Sequence, residues 1–283
     1  MTVSSYFLPR SLPEALEILQ RHGPDLLVMA GGTVAMPLIN EGLSMPGAVM
    51  GLRRAGLDRI ERTDGALRIG ATATLTQLLD QDAIPVLREA ARTTGSWAIR
   101  NMATVGGNLF TPPPGGDVAV ALLALDASVI LAGPTGERAL PLADFFTGFL
   151  TNQLAPDELL VELRVPMTSD PAAWVKFGRK HANTPAVVTV AARLRWSGDK
   201  IADARIALGA VGPHPIRARQ AEQRLVGTRL GPDAIAAAAA VATEDCEPFT
   251  DAIATDWYRR RMVAIFVGRV LEQLAPRAEP EGR

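Results

Sequence analysis

The chain has 283 residues, 48% of them hydrophobic and 21% charged, with a formal net charge of −1 and a single cysteine. That describes a globular protein with room for two or three domains, and the charge gives no reason to expect nucleic acid or an anionic membrane as partner. One cysteine, Cys246, excludes a disulfide framework and any four-cysteine zinc or iron–sulfur site built by this chain alone.

The segment Met1–Phe7 lacks the basic and apolar regions of a secretory signal, and the free cysteine fits a reducing compartment, so a cytoplasmic location is expected. The most apolar stretch, Val118–Ala132, is interrupted by Asp126 and is too short to span a bilayer, as is Ala236–Ala240. His22, His181 and His214 are scattered without metal-ligand spacing, and no metal site is expected.

In chain order, Ser11–Glu14 reads as a capping box opening a helix whose apolar stripe is Leu12, Ala15, Leu16 and Leu19. Gly23-Pro24 stops it. Strands follow at Leu26–Met29 and Ala48–Leu52, completing an N-terminal lobe over residues 1–54. Arg59–Thr63 and Ala66–Gly70 flank Asp64-Gly65 as a hairpin. Thr74–Gln77 starts another helix, and Pro85–Thr94 is a helix with Val86, Leu87 and Ala90 on one face. Ala98–Asp117 reads as irregular, and an ordered loop of that length is usually functional or mobile. Val118–Leu125 fits a short helix, the turn Pro134–Gly136 joins Val129–Leu131 to Arg138–Leu140, and Glu158–Val165 is a strand. These make a second lobe over residues 55–170, closed by the linker Pro166–Pro171. Residues 171–283 hold three strands (Trp174–Arg179, Val187–Trp196 and Ile201–Ala210), with Ser197–Asp199 turning the last two. Helices follow near Ala218–Leu225, Pro232–Thr243 and Asp256–Leu274, an α+β pattern. In the last helix Trp257, Met262, Ile265, Phe266, Val270 and Leu274 are available for burial, and the tail Pro276–Arg283 is expected to be disordered.

Two glycine-rich turns stand out. Ala30-Gly31-Gly32-Thr33 closes the strand Leu26–Met29, and Thr104-Val105-Gly106-Gly107-Asn108 follows Ile99-Arg100-Asn101. Glycine admits positive φ and close approach of a ligand, and successive free N–H groups in such a turn make an anion-binding concavity. Either turn alone reads as an ordinary loop. Two of them converging would suit a diphosphate, and so a dinucleotide. There is no G-x-G-x-x-G fingerprint and no Walker A sequence.

These two elements, with Ile69-Gly70-Ala71, Asp117, Ala121–Ala127 and Lys176–Lys180, resemble the FAD-binding medium subunit of molybdenum hydroxylases of the carbon monoxide dehydrogenase and xanthine dehydrogenase type. The resemblance runs over about residues 4 to 275. It implies a two-lobed FAD domain of the vanillyl-alcohol oxidase and p-cresol methylhydroxylase type, followed by a smaller α+β C-terminal domain. It implies that Ala30, Gly31, Gly32 and Thr33, with Thr104, Val105, Gly106, Gly107 and Asn108, wrap the FAD diphosphate through backbone N–H groups and Thr side chains. Asp117 falls near the adenosine half, although its own surroundings also read as a helix N-cap. Lys176 falls where a lysine approaches the flavin, although it reads more simply as a solvated strand charge. Val34 stands where relatives carry a polar residue, which removes one side-chain contact.

The implied role is electron transfer. Molybdenum–pterin and two-iron two-sulfur clusters would reside in a large and a small partner subunit, in a dimer of heterotrimers, and FAD here would deliver electrons to an external acceptor. A self-contained flavin oxidase is the alternative, followed by an assembly protein that has lost FAD. No residue reads as an acid–base catalyst. Arg259–Arg261 reads as a solvated helix face before a subunit contact, Trp97 as a core or partner residue, and Cys246 as a buried or semi-buried structural thiol.

Overall fold

The computed structural model describes residues 3–276 apart from 64 and 181–182. Asp64 of the expected turn, His181 and the tail beyond 276 lie outside the described residues.

The N-terminal lobe holds strand β1 (Ser5–Phe7), helix α1 (Leu12–His22), β2 (Leu26–Met29), α2 (Ala35–Asn40) and β3 (Ala48–Gly51). Its parallel sheet has the order β1-β3-β2. Ser11 caps α1 by accepting from the Glu14 amide, and Pro13 occupies the first turn, where a missing N–H costs nothing. The sequence reading lacks β1 and α2, both too short to show a period.

The second lobe runs through β4 (Ile60–Thr63), β5 (Ala66–Gly70), α3 (Leu75–Leu79), α4 (Pro85–Thr93), α5 (Trp97–Arg100), α6 (Val105–Leu109), α7 (Asp117–Ala124), β6 (Ser128–Gly133), β7 (Gly136–Pro141), α8 (Leu142–Phe145), β8 (Phe146–Gly148), β9 (Thr151–Asn152) and β10 (Leu159–Pro166). Its five-stranded sheet has the order β4-β5-β10-β6-β7 and is antiparallel throughout. One face, with Ile130, Ala132, Leu159 and Val161, packs on the N-terminal lobe. The other, with Leu67, Ile69, Val129, Leu131 and Leu163, packs on the helices. The stretch expected to be irregular contains α5 and α6, each capped by a hydroxyl, Ser96 and Thr104.

The C-terminal region forms the antiparallel sheet β11 (Ala172–Gly178), β12 (Ala186–Ser197), β13 (Lys200–Gly209) and β14 (Ile216–Arg217), followed by α9 (Arg219–Leu225), α10 (Pro232–Val241) and α11 (Asp256–Leu274). All eight residues of α7 are buried, because the helix is enclosed between the second lobe and Ala191 and Ala207 of the C-terminal sheet. A helix apolar on every side fits only such a place.

Two expectations for α11 fail. Trp257 is 63% and Ile265 38% exposed, so the buried face is Met262, Phe266, Val270 and Leu274 with Val263 and Val267. Arg259 is fully buried, not solvated. Its guanidinium donates to the carbonyls of Ala186, Val187 and Ala210 and to Asp251. A buried charge survives where acceptors and a counter-ion surround it; here only Nε has no partner among the described residues. Cys246 is buried as expected, and burial pushes its thiol up to about 12, leaving it unreactive. Trp97 is 72% exposed and is no core residue.

Candidate functional site

The first glycine turn begins where β2 ends. Gly32 takes φ +73°, a left-handed conformation that glycine adopts without strain. The amides of Gly31, Gly32, Thr33 and Val34 donate to no backbone or side-chain acceptor among the described residues. Their free donors are grouped over four consecutive residues. Val34 occupies the N-cap position of α2 and gives it no side-chain cap.

The second element is a helix start. Thr104 is the N-cap of α6, and its hydroxyl accepts from the Gly107 amide at 3.1 Å. The Val105 and Gly106 amides donate to Ala73 and Ala71 at 2.8 and 2.9 Å, and the Asn108 amide donates to Thr104 at 3.0 Å. Every amide from Val105 to Asn108 is therefore engaged within the fold. Asn108 also acts as a brace, its Oδ1 accepting from the Ala119 amide of α7 at 3.1 Å.

The two elements meet. A Cβ on Gly31 would lie 2.0 Å from the carbonyl oxygen of Met102, so the first turn rests directly on the backbone that leads into α6. At Gly107 a Cβ would meet only the Thr104 hydroxyl of its own helix cap, at 2.8 Å, so this side of the helix start is closed by no other element. Gly106 is closed, its Cα against Ala71. The neighbouring polar side chains hold the scaffold. Arg100 donates to the carbonyls of Arg92, Thr94 and Gly95, and Asn101 Oδ1 accepts from Thr76 at 2.6 Å.

Lys176 and Asp117 overturn their local readings. Asp117 is the first residue of α7; the N-cap is Gly116 in a left-handed conformation. The Asp117 side chain is 6% and the Lys176 side chain 7% exposed, and Lys176 Nζ donates to Asp117 Oδ2 at 2.6 Å and to the Thr93 carbonyl at 3.0 Å. The pair joins β11 of the C-terminal sheet to the second lobe, reinforced by Trp174 Nε1 donating to Thr93 Oγ1 at 3.1 Å. Burial pushes the Asp117 carboxyl up, and Lys176 opposes that shift. Asp117 Oδ1 and Thr72 Oγ1 are buried without partners among the described residues. Buried polar atoms are normally paired. Thr72 adjoins Ala71, which receives the Gly106 amide, and so both orphans lie around the second glycine element.

Residues 2–168 match the family described as FAD binding domain in molybdopterin dehydrogenase, and residues 172–274 match the CO dehydrogenase flavoprotein C-terminal domain. The carbon monoxide dehydrogenase medium chain of Hydrogenophaga pseudoflava is 32% identical, over 94% of this chain and 95% of that one. Caffeine dehydrogenase subunit beta of a Pseudomonas species is also 32% identical, over 98% and 96%. A solved carbon monoxide dehydrogenase from Hydrogenophaga pseudoflava superposes with a TM-score of 0.91 at 31% identity, covering 96% of both chains.

The chain belongs to the FAD-binding subunit family of the molybdopterin dehydrogenases. Its architecture is that of the family, an FAD-binding domain followed by a C-terminal α+β domain, and its relatives are oxidoreductase subunits. No helix among the described residues is long and apolar enough to cross a membrane.

Proposed function

We propose that this chain is the electron-transfer subunit of a cytoplasmic molybdenum hydroxylase. It takes electrons from two-iron two-sulfur clusters of a small partner and passes them to an external acceptor, while a large partner carries the molybdenum–pterin centre. A dimer of such heterotrimers is the proposed assembly. Residues 1–54 and 55–170 are the two lobes that hold FAD, and 171–283 the C-terminal domain, a division supported by the separate three-, five- and four-stranded sheets. FAD, when bound, accepts electrons singly and releases them as a pair.

The residues present fit that cofactor. The free amides of Gly31, Gly32, Thr33 and Val34 would hold the diphosphate, with Ala30 setting the exit of β2. Gly107 would admit the cofactor closely, while Thr104, Val105, Gly106 and Asn108 keep the helix start in place through the bonds described above. Asp117 Oδ1 is an acceptor without a partner, and Lys176 Nζ has a third N–H beyond its two bonds. Being in contact, the two would meet the cofactor at one place and offer it one donor and one acceptor, in place of the separate adenosine and flavin positions that the resemblance implies for Asp117 and Lys176. The C-terminal domain positions this pair, because Lys176 comes from β11.

The observation that carries the reading is the run of free amides set against the open Gly107. A visible absorption spectrum tests it, taken on the full chain alone, with added FAD and after co-expression with its partners. Flavin bands that survive desalting and release FAD on denaturation are expected. Their absence under all three conditions overturns the reading.

A further inference from the structure

We propose that Arg53 is a diphosphate-binding residue, the cation that meets the negative charge of the dinucleotide at the seam between the two glycine elements. The inference rests on the FAD reading above and extends it to a residue that no motif marks.

The placement follows from the sheet. β2 and β3 are parallel neighbours with Met29 opposite Gly51, so both strands end at the same edge. From that edge β2 enters the first glycine turn, and β3 enters the short 3-10 turn Leu52–Arg54. The Arg53 side chain crosses to the second element, where its guanidinium abuts the Met102 thioether. Met102 is the residue whose carbonyl touches the Cα of Gly31. The guanidinium thus reaches the side chain of the residue on which the first turn rests.

Its hydrogen-bonding capacity is almost unused. A guanidinium has five N–H donors, and a thioether is a weak acceptor. Arg53 forms no ion pair among the described residues and is exposed. Of the neighbouring cations, Arg100 donates to three carbonyls, its Nε alone being buried without a partner among the described residues, and Lys176 is held by Asp117 and Thr93. An exposed planar fork at the sheet edge that also carries four consecutive free amides matches a phosphate group, which guanidinium binds through two parallel bonds. The amides supply geometry, and Arg53 supplies the charge they lack.

The test is a flavin titration of the full chain freed of cofactor, comparing FAD with riboflavin, which has no phosphate. Arg53→Gln is expected to weaken FAD by about ten- to hundredfold, the range of a charge-assisted hydrogen bond, and to leave riboflavin unchanged. Arg53→Lys should recover part of the loss. The salt dependence of FAD affinity should also flatten in Arg53→Gln. Equal weakening of both ligands would mean that Arg53 only shapes Met102 and the turn, and would overturn the inference. Unchanged FAD affinity in Arg53→Gln would overturn it while leaving the FAD reading intact. Failure of the unsubstituted chain to bind FAD, alone and with its partners, would remove both.

Discussion

The two glycine elements share a grammar, two glycines beside a threonine, yet the fold uses them in opposite ways. In the first, the amides of Gly31 through Val34 are free and the glycine Cα of Gly31 is closed against Met102. In the second, the amides of Val105 through Asn108 are engaged and the Cα of Gly107 is open. One offers hydrogen bonds and the other offers room. The same dipeptide can thus serve a ligand by its donors or by its missing side chain, and the partner of each N–H decides which.

The second element depends on anchoring from outside, so removing the anchor should have the largest effect. Asn108 braces α7, and α7 begins with Asp117, which is paired with Lys176. Lys176→Met would leave a buried carboxyl without its cation, at a cost of roughly 3–5 kcal/mol. The pH dependence has a definite sign. Asp117 has a raised folded pKa, so its contribution is fully present below the ordinary carboxylate range and is lost as pH rises through the raised value. Without Lys176 that value rises further. The deficit of Lys176→Met should therefore be largest at and above neutral pH and shrink in acid, where Asp117 takes up a proton. Urea unfolding at pH 5 and pH 8 checks this. A deficit of equal size at both would exclude charge as its origin, and Lys176→Met with Asp117→Asn should recover stability at pH 8.

The contact between the elements is the next target. Gly31→Ala places a Cβ against a backbone oxygen that cannot rotate away, and overpacking of that kind costs about 1–3 kcal/mol. Flavin content and the urea midpoint should fall together. Gly107→Asp should separate the two quantities. Its Cβ crowds only the Thr104 hydroxyl that caps α6, and a carboxylate near a helix N-terminus is electrostatically tolerated, so the midpoint should fall by no more than the loss of that cap, about 0.5–2 kcal/mol. Its charge would face the diphosphate, and flavin per chain should drop severely. A variant with full flavin content would show that the open side of Gly107 does not face the cofactor.

Much of this was legible from local signals. The helix of Pro85–Thr93, the hairpin of β6 and β7 and the pairing of β12 with β13 follow from proline, turn residues and alternation. Both glycine elements were visible as motifs, and the resemblance they carry identified the family. Local signals failed where partners are distant in sequence. Lys176 looked like a surface charge because Asp117 is 59 positions away, and Arg259 looked solvated because its acceptors are on β12 and near the end of β13. Sequence spacing also could not say which amides of each glycine element would be free. That depends on Ala71 and Ala73 reaching α6, a contact between segments about thirty residues apart. The alternation of β11 did not reveal that its Lys176 faces a helix of another lobe.

The smallest expected effect concerns Val34 and sharpens the comparison at the first element. α6 has Thr104 as its hydroxyl cap, whereas α2 begins at Val34 with no side-chain cap. Val34→Ser adds a hydroxyl but no cap, because the N3 position is Pro37, which has no N–H, and the Met36 amide already donates to Gly32, so stability should change by less than about 0.5 kcal/mol. The new hydroxyl would stand beside the free run Gly31–Val34 as a further donor toward the diphosphate, so FAD affinity should hold or tighten. Thermal unfolding without FAD, followed by a flavin titration, reads both. If FAD weakens instead, the hydroxyl turns back onto the free amides of the turn and competes with the cofactor for them, which would place the side chain of position 34 away from the diphosphate.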